Sequence, residues 1–384
     1  MKVKEILALI PDELLSQLAR DTKVDFYAKK LKGKIIFKLL LFSVLAYKDN
    51  SLRRMESLYE SLIDPAEESS GIRISSLSER LSHIRVDFFK RIYEKCVELY
   101  GPLIAARPKD VIYYDSTIIS LSGKLLQTGY HLKGGDADHL RQLKFTIGYS
   151  TIPLVADLYT DSKYTSENVA LRETIDNHAV SQKCIRVFDR GISGRKIYDD
   201  WVEKGIEFIS RIDARSKRQP VTVNELGPTT ETSTLMILSD EWVYLFGDKG
   251  RKSTFPLRAI SALQKESGET LVFITNKTDL SAWEVTEIYR KRWDIETFFK
   301  FIKQELNFSH LINRSVNGIE VMLYVTLIAS ILLVVYKQTN QLRGYKILKQ
   351  KFLQELEWDT INDIVLYCGG NPQKIQDFRR RDKT

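Results

Sequence analysis

The stretch from residue 110 to residue 212 constrains the fold most, because its hydrophobic pattern alternates between strand and helix. Runs rich in β-branched and aromatic residues predict strands at Val111–Leu121, Phe145–Tyr149, Leu154–Tyr159, Ile185–Phe188 and Ile206–Ile212. Segments of helical period predict helices at Ser166–Val180 and Ser193–Lys204. The resulting order of elements, β, β, β, α, β, α, β, predicts an α/β domain.

The regions around this stretch differ from it in pattern. Residues 213–280 are rich in Thr, Val, Ser and Gly and lack a helical period, which predicts a β-rich insertion. Its strand candidates are Val221–Asn224, Thr234–Leu238, Trp242–Phe246 and Thr270–Asn276. We therefore predict a helical region over 1–104, an α/β domain over 105–310 that contains the insertion, and a helical region over 311–384.

Charge permits a polyanionic partner without proving one. The 384 residues contain 58 Lys and Arg against 50 Asp and Glu, a formal charge of +8. The excess is +3 over residues 1–100 and +4 over residues 281–384, so the middle of the chain is nearly balanced. The positive ends favour DNA contact, although solvated surface lysines would give the same bias.

Neither a membrane span nor a disulfide framework is predicted. The apolar run Val321–Tyr336 has 16 residues, fewer than the roughly 20 that cross a bilayer, and is interrupted by polar side chains. A buried helix is the better interpretation. The three cysteines, Cys96, Cys184 and Cys368, lie far apart, which is typical of a protein of the reducing cytoplasm.

The helix predicted from Trp283 to Leu306 carries two stripes of side chains. An apolar stripe, expected to face the core, consists of Ile288, Ile295, Phe299, Ile302 and Leu306. A polar stripe beside it consists of Tyr289, Arg292, Glu296 and Lys303. A helix lining a cleft needs this arrangement, but a charged flank with ordinary pairing between residues i and i+4 would produce it too.

Two carboxylates favour the interpretation that this helix lines a cleft. Asp115 lies inside a hydrophobic strand, where an isolated charge is costly, and Asp189 ends a second buried strand. Sites in α/β proteins form where neighbouring strands end, so both could meet Glu296 there. Three carboxylates about 4 Å apart repel one another by several kcal/mol and need cations. Oxygen ligands of this kind suit Mg²⁺ or Mn²⁺, and two such ions support phosphodiester chemistry.

These residues resemble a known family. The spacing Tyr289-x2-Arg292-x3-Glu296-x6-Lys303 resembles the Tyr-Arg-Glu-Lys signature of DDE transposases of bacterial insertion sequences, specifically insertion-sequence family four. Asp115-Ser116-Thr117 and Asp189-Arg190-Gly191 resemble the first and second Asp motifs of that family. The resemblance covers residues 105–310, and the flanking regions match only in general character.

The resemblance implies a ribonuclease-H-like fold and a cut-and-paste mechanism. Asp115, Asp189 and Glu296 would be the catalytic residues and would bind two Mg²⁺ ions, with Mn²⁺ as a substitute. The reaction would nick the transposon end, form and resolve a hairpin, and join the 3′-hydroxyl to target DNA. The protein would act in the bacterial cytoplasm, associated with the nucleoid, as a homodimer that binds terminal inverted repeats and target DNA.

A further set of residues is predicted to contact this DNA: Tyr289, Arg292, Lys303, Arg190, Thr117 and Trp242. For Arg190, an ion pair with Asp189 or Asp199 is an equal alternative. Trp242 could stack on a flipped base, as an aromatic residue of the insertion does in relatives, or belong to the core. The basic run Arg379–Arg381 could touch a DNA backbone or form a disordered tail.

Two other functions stay open for this sequence. One is a catalytically silent, transposase-derived DNA-binding protein, which the intact set of Asp115, Asp189 and Glu296 disfavours. The other is a structure-selective nuclease with a ribonuclease-H-like fold. The long insertion and the Tyr289, Arg292 and Lys303 set disfavour that alternative.

Overall fold

The chain divides into two compact units. The computed structural model describes residues 1–47, 50–62, 71–104, 111–121, 130–131, 141–178, 184–247, 250–308, 311–313 and 315–374. One unit combines Met1–Ala105 with Phe301–Thr384, and the other is Ala106–Lys300. The terminal regions, predicted as two separate regions, thus form one unit. Arg379–Arg381 lie outside the described residues.

Helices build the terminal unit and flank the sheet of the central one. Their bounds are α1 Val3–Ala8, α2 Asp12–Thr22, α3 Gly33–Ala46, α4 Leu52–Leu62, α5 Ile74–His83, α6 Val86–Ile104, α7 Glu167–Asn177, α8 Arg195–Glu203, α9 Ala282–Arg290, α10 Trp293–Glu305, α11 Val316–Thr339 and α12 Leu348–Tyr367. The helical character predicted for residues 1–104 is confirmed where the structure describes them.

Helix α11 forms the core of the terminal unit. Almost every side chain from Ile319 to Tyr336 is buried, and the helix packs against α3, α5 and α6. It is also the one helix in the described part of the chain that is long and apolar enough to cross a membrane. The buried-helix interpretation of this run is confirmed, since a helix apolar on all sides needs protein around its whole circumference.

Side chains bond to backbone N–H groups at the starts of α4 and α9. Ser51 accepts the backbone N–H of Arg54 and so begins α4. Ser281 and Glu284 form a capping box at the start of α9. Ser76 and Glu79 have the spacing of a capping box, but they lie within α5, which already begins at Ile74.

The strands of the central unit join into one mixed sheet. Their bounds are β1 Val111–Leu121, β2 Tyr130–His131, β3 Arg141–Ser150, β4 Ile152–Tyr159, β5 Ile185–Phe188, β6 Phe208–Ile212, β7 Arg218–Val223, β8 Leu235–Leu245, β9 Leu257–Gln264 and β10 Thr270–Thr275. The described order is β2-β3-β1-β5-β6-β10-β9-β8-β7, and β4 pairs with β3. β1 runs antiparallel to β3 and parallel to β5, and β5 runs parallel to β6. The predicted α/β class is confirmed.

The predicted insertion continues this sheet instead of forming a separate layer. β10 pairs antiparallel with β6, and β9, β8 and β7 follow outward. Two strand candidates of the sequence are one strand, β8, which has an irregular register between Ile237 and Ser239. β9 was missed, because its Ala- and Ser-containing sequence lacks the β-branched and aromatic enrichment that predicts strands.

The prediction of one long helix from Trp283 to Leu306 is wrong in one respect, because the helix is broken between α9 and α10. Backbone N–H groups of Arg292, Asp294 and Ile295 bond three residues back, not four. This tighter turn interrupts the α-helical hydrogen bonding at Lys291 and Arg292. Tyr289 and Glu296 consequently belong to different helices.

Candidate active site

Strand register places Asp115 and Asp189 side by side. Tyr114 of β1 pairs with Phe188 of β5 in the parallel ladder. Asp115 and Asp189 follow those two residues, so they lie at the same edge on strands about 4.8 Å apart. The two motifs, far apart in the chain, therefore meet where the sequence predicted a site.

Helices α9 and α10 are anchored over the same edge by aromatic contacts. Tyr289 packs edge-on against Phe273 of β10, with ring centroids 5.0 Å apart. Phe298 of α10 packs against Tyr149 of β3, with centroids 4.8 Å apart. The Tyr289 hydroxyl donates a 2.8 Å hydrogen bond to Oδ1 of Asp189. Because these contacts fix α9 and α10 on either side of the break, Arg292 is held near the end of β5, where Asp115 and Asp189 lie.

Arg292 connects the three carboxylates electrostatically. Its Nη2 donates to Oε1 of Glu296 at 2.7 Å, and the guanidinium is nearly buried. It also favours the ionised forms of Asp115 and Asp189. The pKa of Arg292 is raised, because its anionic neighbours outweigh the opposing effect of burial. The predicted pairing of Arg292 with Glu296 is therefore present, but it lies within the carboxylate site and not on a solvated flank.

The pKa values of the two aspartates are shifted in opposite directions. Burial raises the pKa of Asp115 to about 6, against the opposing effects of the Ser116 N–H and Arg292. Burial also acts to raise the pKa of Asp189, but hydrogen bonds from the Arg190 backbone and Tyr289 lower it below its ordinary value. Asp189 is thus charged at neutral pH, whereas Asp115 becomes charged only as the pH rises above about 6.

This difference predicts a pH dependence of stability in the absence of metal. Asp115 has a higher pKa in the folded than in the unfolded chain, so protonation stabilises the folded state as pH falls through 6. Between pH 7 and pH 4 the wild type should gain on the order of 2–3 kcal/mol relative to Asp115→Asn. Urea unfolding in the presence of a chelator measures this difference. Equal pH dependence in both proteins would contradict it.

The first turn of α7 supports Asp115. Glu167 accepts hydrogen bonds from Nζ of Lys144 at 2.8 Å and from Oγ of Ser116 at 3.1 Å. The backbone N–H of Ser116 in turn donates to Oδ1 of Asp115. Lys144 is buried on β3, so Glu167 neutralises a charge that would otherwise be isolated inside the domain.

The next residue of α7 supports the segment after Asp189. Oδ1 of Asn168 accepts the backbone N–H groups of Ser193 and Gly194 at 2.7 and 3.1 Å. A Cβ atom on Gly191 would lie 2.9 Å from Cγ of Glu167, so a larger residue would push this segment away. The glycine of the second motif therefore allows close approach of the loop to α7. One helix turn sets the positions of both aspartate-bearing segments.

Removal of the Glu167 carboxylate should be costly because Lys144 is buried. We expect Glu167→Ala to lower the free energy of unfolding by about 2–3 kcal/mol, since it leaves a buried ammonium unpaired. The double variant Lys144→Met/Glu167→Gln should recover much of this loss, because it removes the charge that needs a partner. Chemical denaturation measures both, and a loss below about 0.5 kcal/mol in Glu167→Ala would contradict the role.

The remaining predicted DNA contacts lie in different places. Arg190 is exposed beside Asp189, whose own ion-pair partner is Arg211 at 3.7 Å. Thr117 is buried on β1, on the same face as Asp115. Trp242 is half-buried on β8, opposite Thr222 and Arg258.

Lys303 lies in the last turn of α10, within the terminal unit, and is exposed.

Asp199, the other predicted partner of Arg190, accepts the backbone N–H groups of Thr254 and Phe255. The DNA-binding roles of all these residues stay predictions.

Sequence reasoning missed the supporting residues Lys144, Glu167, Asn168 and Arg211. A lysine between the apolar residues Leu143 and Phe145, directly before a predicted strand, was the signal available for Lys144. The sequence did not identify Glu167 as its partner, because no local pattern distinguishes Glu167 from the other acidic residues. Only the fold places Glu167 beside Lys144.

Among the residues that the structure describes, no three His, Cys, Asp or Glu side chains are arranged to hold a metal ion directly. Arg292 supplies positive charge near Asp115, Asp189 and Glu296, and Arg211 adds to it beside Asp189. The Nε atom of Arg292 is buried without a hydrogen-bond partner, so this guanidinium retains capacity for a further acceptor.

Similar proteins carry the names of transposases. The chain is 25% identical over 231 residues to the y4zB protein of Sinorhizobium fredii, covering 59% of this chain and 61% of that protein. It is 25% identical over 277 residues to a Geobacillus stearothermophilus protein named as the probable transposase for insertion sequence element IS5377, covering 70% and 68% of the two chains. A 50-residue segment is 40% identical to a Synechocystis protein named for insertion sequence element IS4SA, covering 13% and 15%.

A family model provides the assignment. The model described as the transposase DDE domain matches residues 106–332, more than half of the chain. This range contains Asp115, Asp189 and Glu296, the residues that the sheet edge and α10 bring towards Arg292. The match and the named relatives agree with the resemblance in the motifs, and the chain belongs to the DDE transposase family.

Proposed function

We propose that the protein is a DNA transposase of an insertion sequence that acts by cut-and-paste transposition. It nicks the transposon ends, forms and resolves hairpins, and transfers the freed 3′-hydroxyl groups into target DNA. The observation that carries the proposal is the nearly buried guanidinium of Arg292, which bonds to Glu296 and acts electrostatically on both Asp115 and Asp189. The membership in the DDE transposase family supports it.

The catalytic domain is proposed to be ribonuclease-H-like. Five neighbouring strands support this, since β4, β3 and β1 are antiparallel and β1, β5 and β6 are parallel. Asp115 lies on the first of these strands in the chain and Asp189 follows the fourth. The insertion β7–β10 then accounts for the long separation between Asp189 and Glu296.

The donor set fits a divalent metal. Asp115, Asp189 and Glu296 would hold Mg²⁺ or Mn²⁺, since carboxylate oxygens are the ligands these ions prefer. When bound, two such ions would make the attacking oxygen more nucleophilic and stabilise the leaving oxygen. Oε1 of Glu296 accepts from Nη2 of Arg292 at 2.7 Å, so a bound cation would compete with Arg292 for this carboxylate.

Arg292 and Tyr289 are proposed to switch from carboxylate to phosphate. A guanidinium released from Glu296 keeps a planar set of donors, which suits a phosphate at the hairpin. The Tyr289 hydroxyl orients Asp189 at 2.8 Å and can contact the same phosphate. Lys303, Arg190 and Thr117 would extend the DNA contacts, and Trp242 would stack on a flipped base.

The DNA substrate and the assembly complete the proposal. The terminal inverted repeats of the element and the target DNA are the partners, and a homodimer would synapse the two ends. The helical terminal regions, with their excess of positive charge, would bind DNA or support the dimer. We place the protein in the bacterial cytoplasm, associated with the nucleoid.

The test is cleavage of the element's own ends. The purified chain with Mg²⁺ should nick a duplex that carries the terminal inverted repeat and leave a duplex with a scrambled repeat intact. Hairpin products and joined target DNA should follow on longer incubation. Binding without any cleavage would favour the silent DNA-binding protein. Equal cleavage of branched DNA of unrelated sequence would favour the structure-selective nuclease.

A further inference from the structure

The segment Lys23–Lys32, here called the aromatic loop, joins α2 to α3 in the terminal unit and exposes two rings. Phe26 is 63% exposed and Tyr27 is 92% exposed, and their centroids lie 4.2 Å apart. Burial of one such ring normally contributes about 1.5–3 kcal/mol. Two adjacent rings in solvent, at the tip of one loop, therefore indicate a surface that a partner covers.

The aromatic loop is held in shape by its neighbours. Arg80 of α5 donates to the carbonyl oxygens of Val24 at 2.5 Å and Leu31 at 3.0 Å, near the two ends of the loop. Oδ1 of Asp25 accepts the backbone N–H of Gly33. Tyr27 has a φ of +67°, a conformation that a tyrosine adopts only when its surroundings require it. The rings are thus presented on a closed, anchored loop.

The surroundings of the rings are positively charged. Lys23, Lys29 and Lys32 on the loop are exposed. A groove of about 680 Å³ beside the loop contains a single carboxylate, Glu79, among the described residues that line it. The basic side chains lining this groove are Lys29, Lys30, Arg73, Arg80 and His83. Among the described residues, basic side chains outnumber the carboxylates Asp25 and Glu79 around the loop, which favours a partner with negative charge.

We propose that the aromatic loop binds duplex DNA, with Lys29 and Lys32 on phosphates and Phe26 and Tyr27 against sugar and base edges in the minor groove. Phosphates match the charge of the groove, and apolar side chains beside lysines are the pattern with which proteins contact that groove. The proposal rests on the proposed function only in taking DNA as the substrate. It assigns a contact outside the carboxylate site.

The test is DNA affinity of the full chain without metal, measured by fluorescence anisotropy over a range of salt concentrations. Tyr27→Ala and Phe26→Ala should each weaken binding about fivefold or more. Lys29→Gln/Lys32→Gln should weaken binding and reduce the slope of log K against log salt by about 2, because each phosphate contact contributes about 0.9.

Matched controls are available on the same chain. Tyr367 is 94% exposed, so Tyr367→Ala removes a similar ring from another surface of the terminal unit and should weaken binding less than either loop variant does. Lys204→Gln/Lys265→Gln makes the same change in net charge in the central unit and should leave the salt slope unchanged. Thermal melting should show each variant folded, as expected for exposed side chains.

Three outcomes would overturn the proposal. Loop variants that bind DNA as the wild type does would remove the loop from the interface. Equal losses of DNA affinity in the loop variants and their controls would show that the effect does not depend on the position of the loop. A change of oligomeric state with unchanged DNA affinity would assign the rings to a protein partner. Each differs from failure of the proposed function, in which the wild type itself would neither bind nor cleave the repeat DNA.

Discussion

Asp115→Asn, Asp189→Asn and Glu296→Gln are each expected to reduce Mg²⁺-dependent cleavage of the transposon end at least about 1,000-fold, equal to about 4 kcal/mol in the barrier. Each substitution keeps the shape of its side chain and removes the charge that a divalent ion needs. Affinity for the repeat DNA should stay within a few fold of wild type, because loss of a negative charge does not weaken phosphate binding. Single-turnover cleavage and anisotropy on the same DNA measure the two effects.

Asp294 supplies a matched control for the carboxylate series. It lies two residues before Glu296 on α10, and it is exposed. Asp294→Asn should therefore cleave at the wild-type rate. If any of the three variants cleaved within tenfold of wild type, its carboxylate would be removed from the catalytic set. Mg²⁺-dependent cleavage by all three would overturn the assignment of the site.

Arg292→Ala should reduce hairpin formation about 100-fold, the usual cost of removing one preorganised donor from a charged transition state. The first nick should fall less than tenfold, because the carboxylates stay in place. The metal-free protein should also lose about 1–2 kcal/mol of stability, since Asp115, Asp189 and Glu296 lose their common cation. Added Mg²⁺ should then raise its melting temperature more than that of the wild type.

Arg290 provides the comparison for Arg292. It is exposed and pairs with Glu287 at 2.8 Å in the last turn of α9, so Arg290→Ala makes the same chemical change outside the site. It should leave both the nick and the hairpin unchanged. Arg292→Lys should recover part of the stability but little of the hairpin rate, because an ammonium lacks the planar fork. Unchanged hairpin kinetics in Arg292→Ala would remove this residue from the mechanism.

Much of the central unit was predictable because its signals are local. β1 begins with the β-branched and aromatic run Val111–Tyr114, β5 is a short run of four residues, and the period of α7 and α8 differs clearly from theirs. The spacing of Tyr289, Arg292 and Glu296 could be read without any structure. The family membership that these motifs indicated is confirmed. The roles of the individual residues stay predictions until the variants are measured.

Other features depend on contacts that no local pattern reveals. The break at Lys291 and Arg292 contains neither Pro nor Gly, and its two sides are fixed by contacts with distant strands, Tyr289 on Phe273 and Phe298 on Tyr149. The joining of residues 1–105 and 301–384 into one unit arises because α11 is apolar on every side and packs with α3, α5 and α6. A helical pattern alone does not specify which partners surround it.

The sequence by itself determined the α/β class, the strand that carries Asp115, the strand that Asp189 follows, and the motif that carries Glu296, because period and spacing are properties of neighbouring residues. Only the tertiary structure decided that Arg292, paired locally with Glu296, also acts electrostatically on Asp115 and Asp189, and that Glu167 neutralises Lys144. Apart from the pair of Arg292 with Glu296, these interactions join distant parts of the chain. They follow from the low dielectric of the folded domain, where each buried charge requires a partner that only folding can bring near.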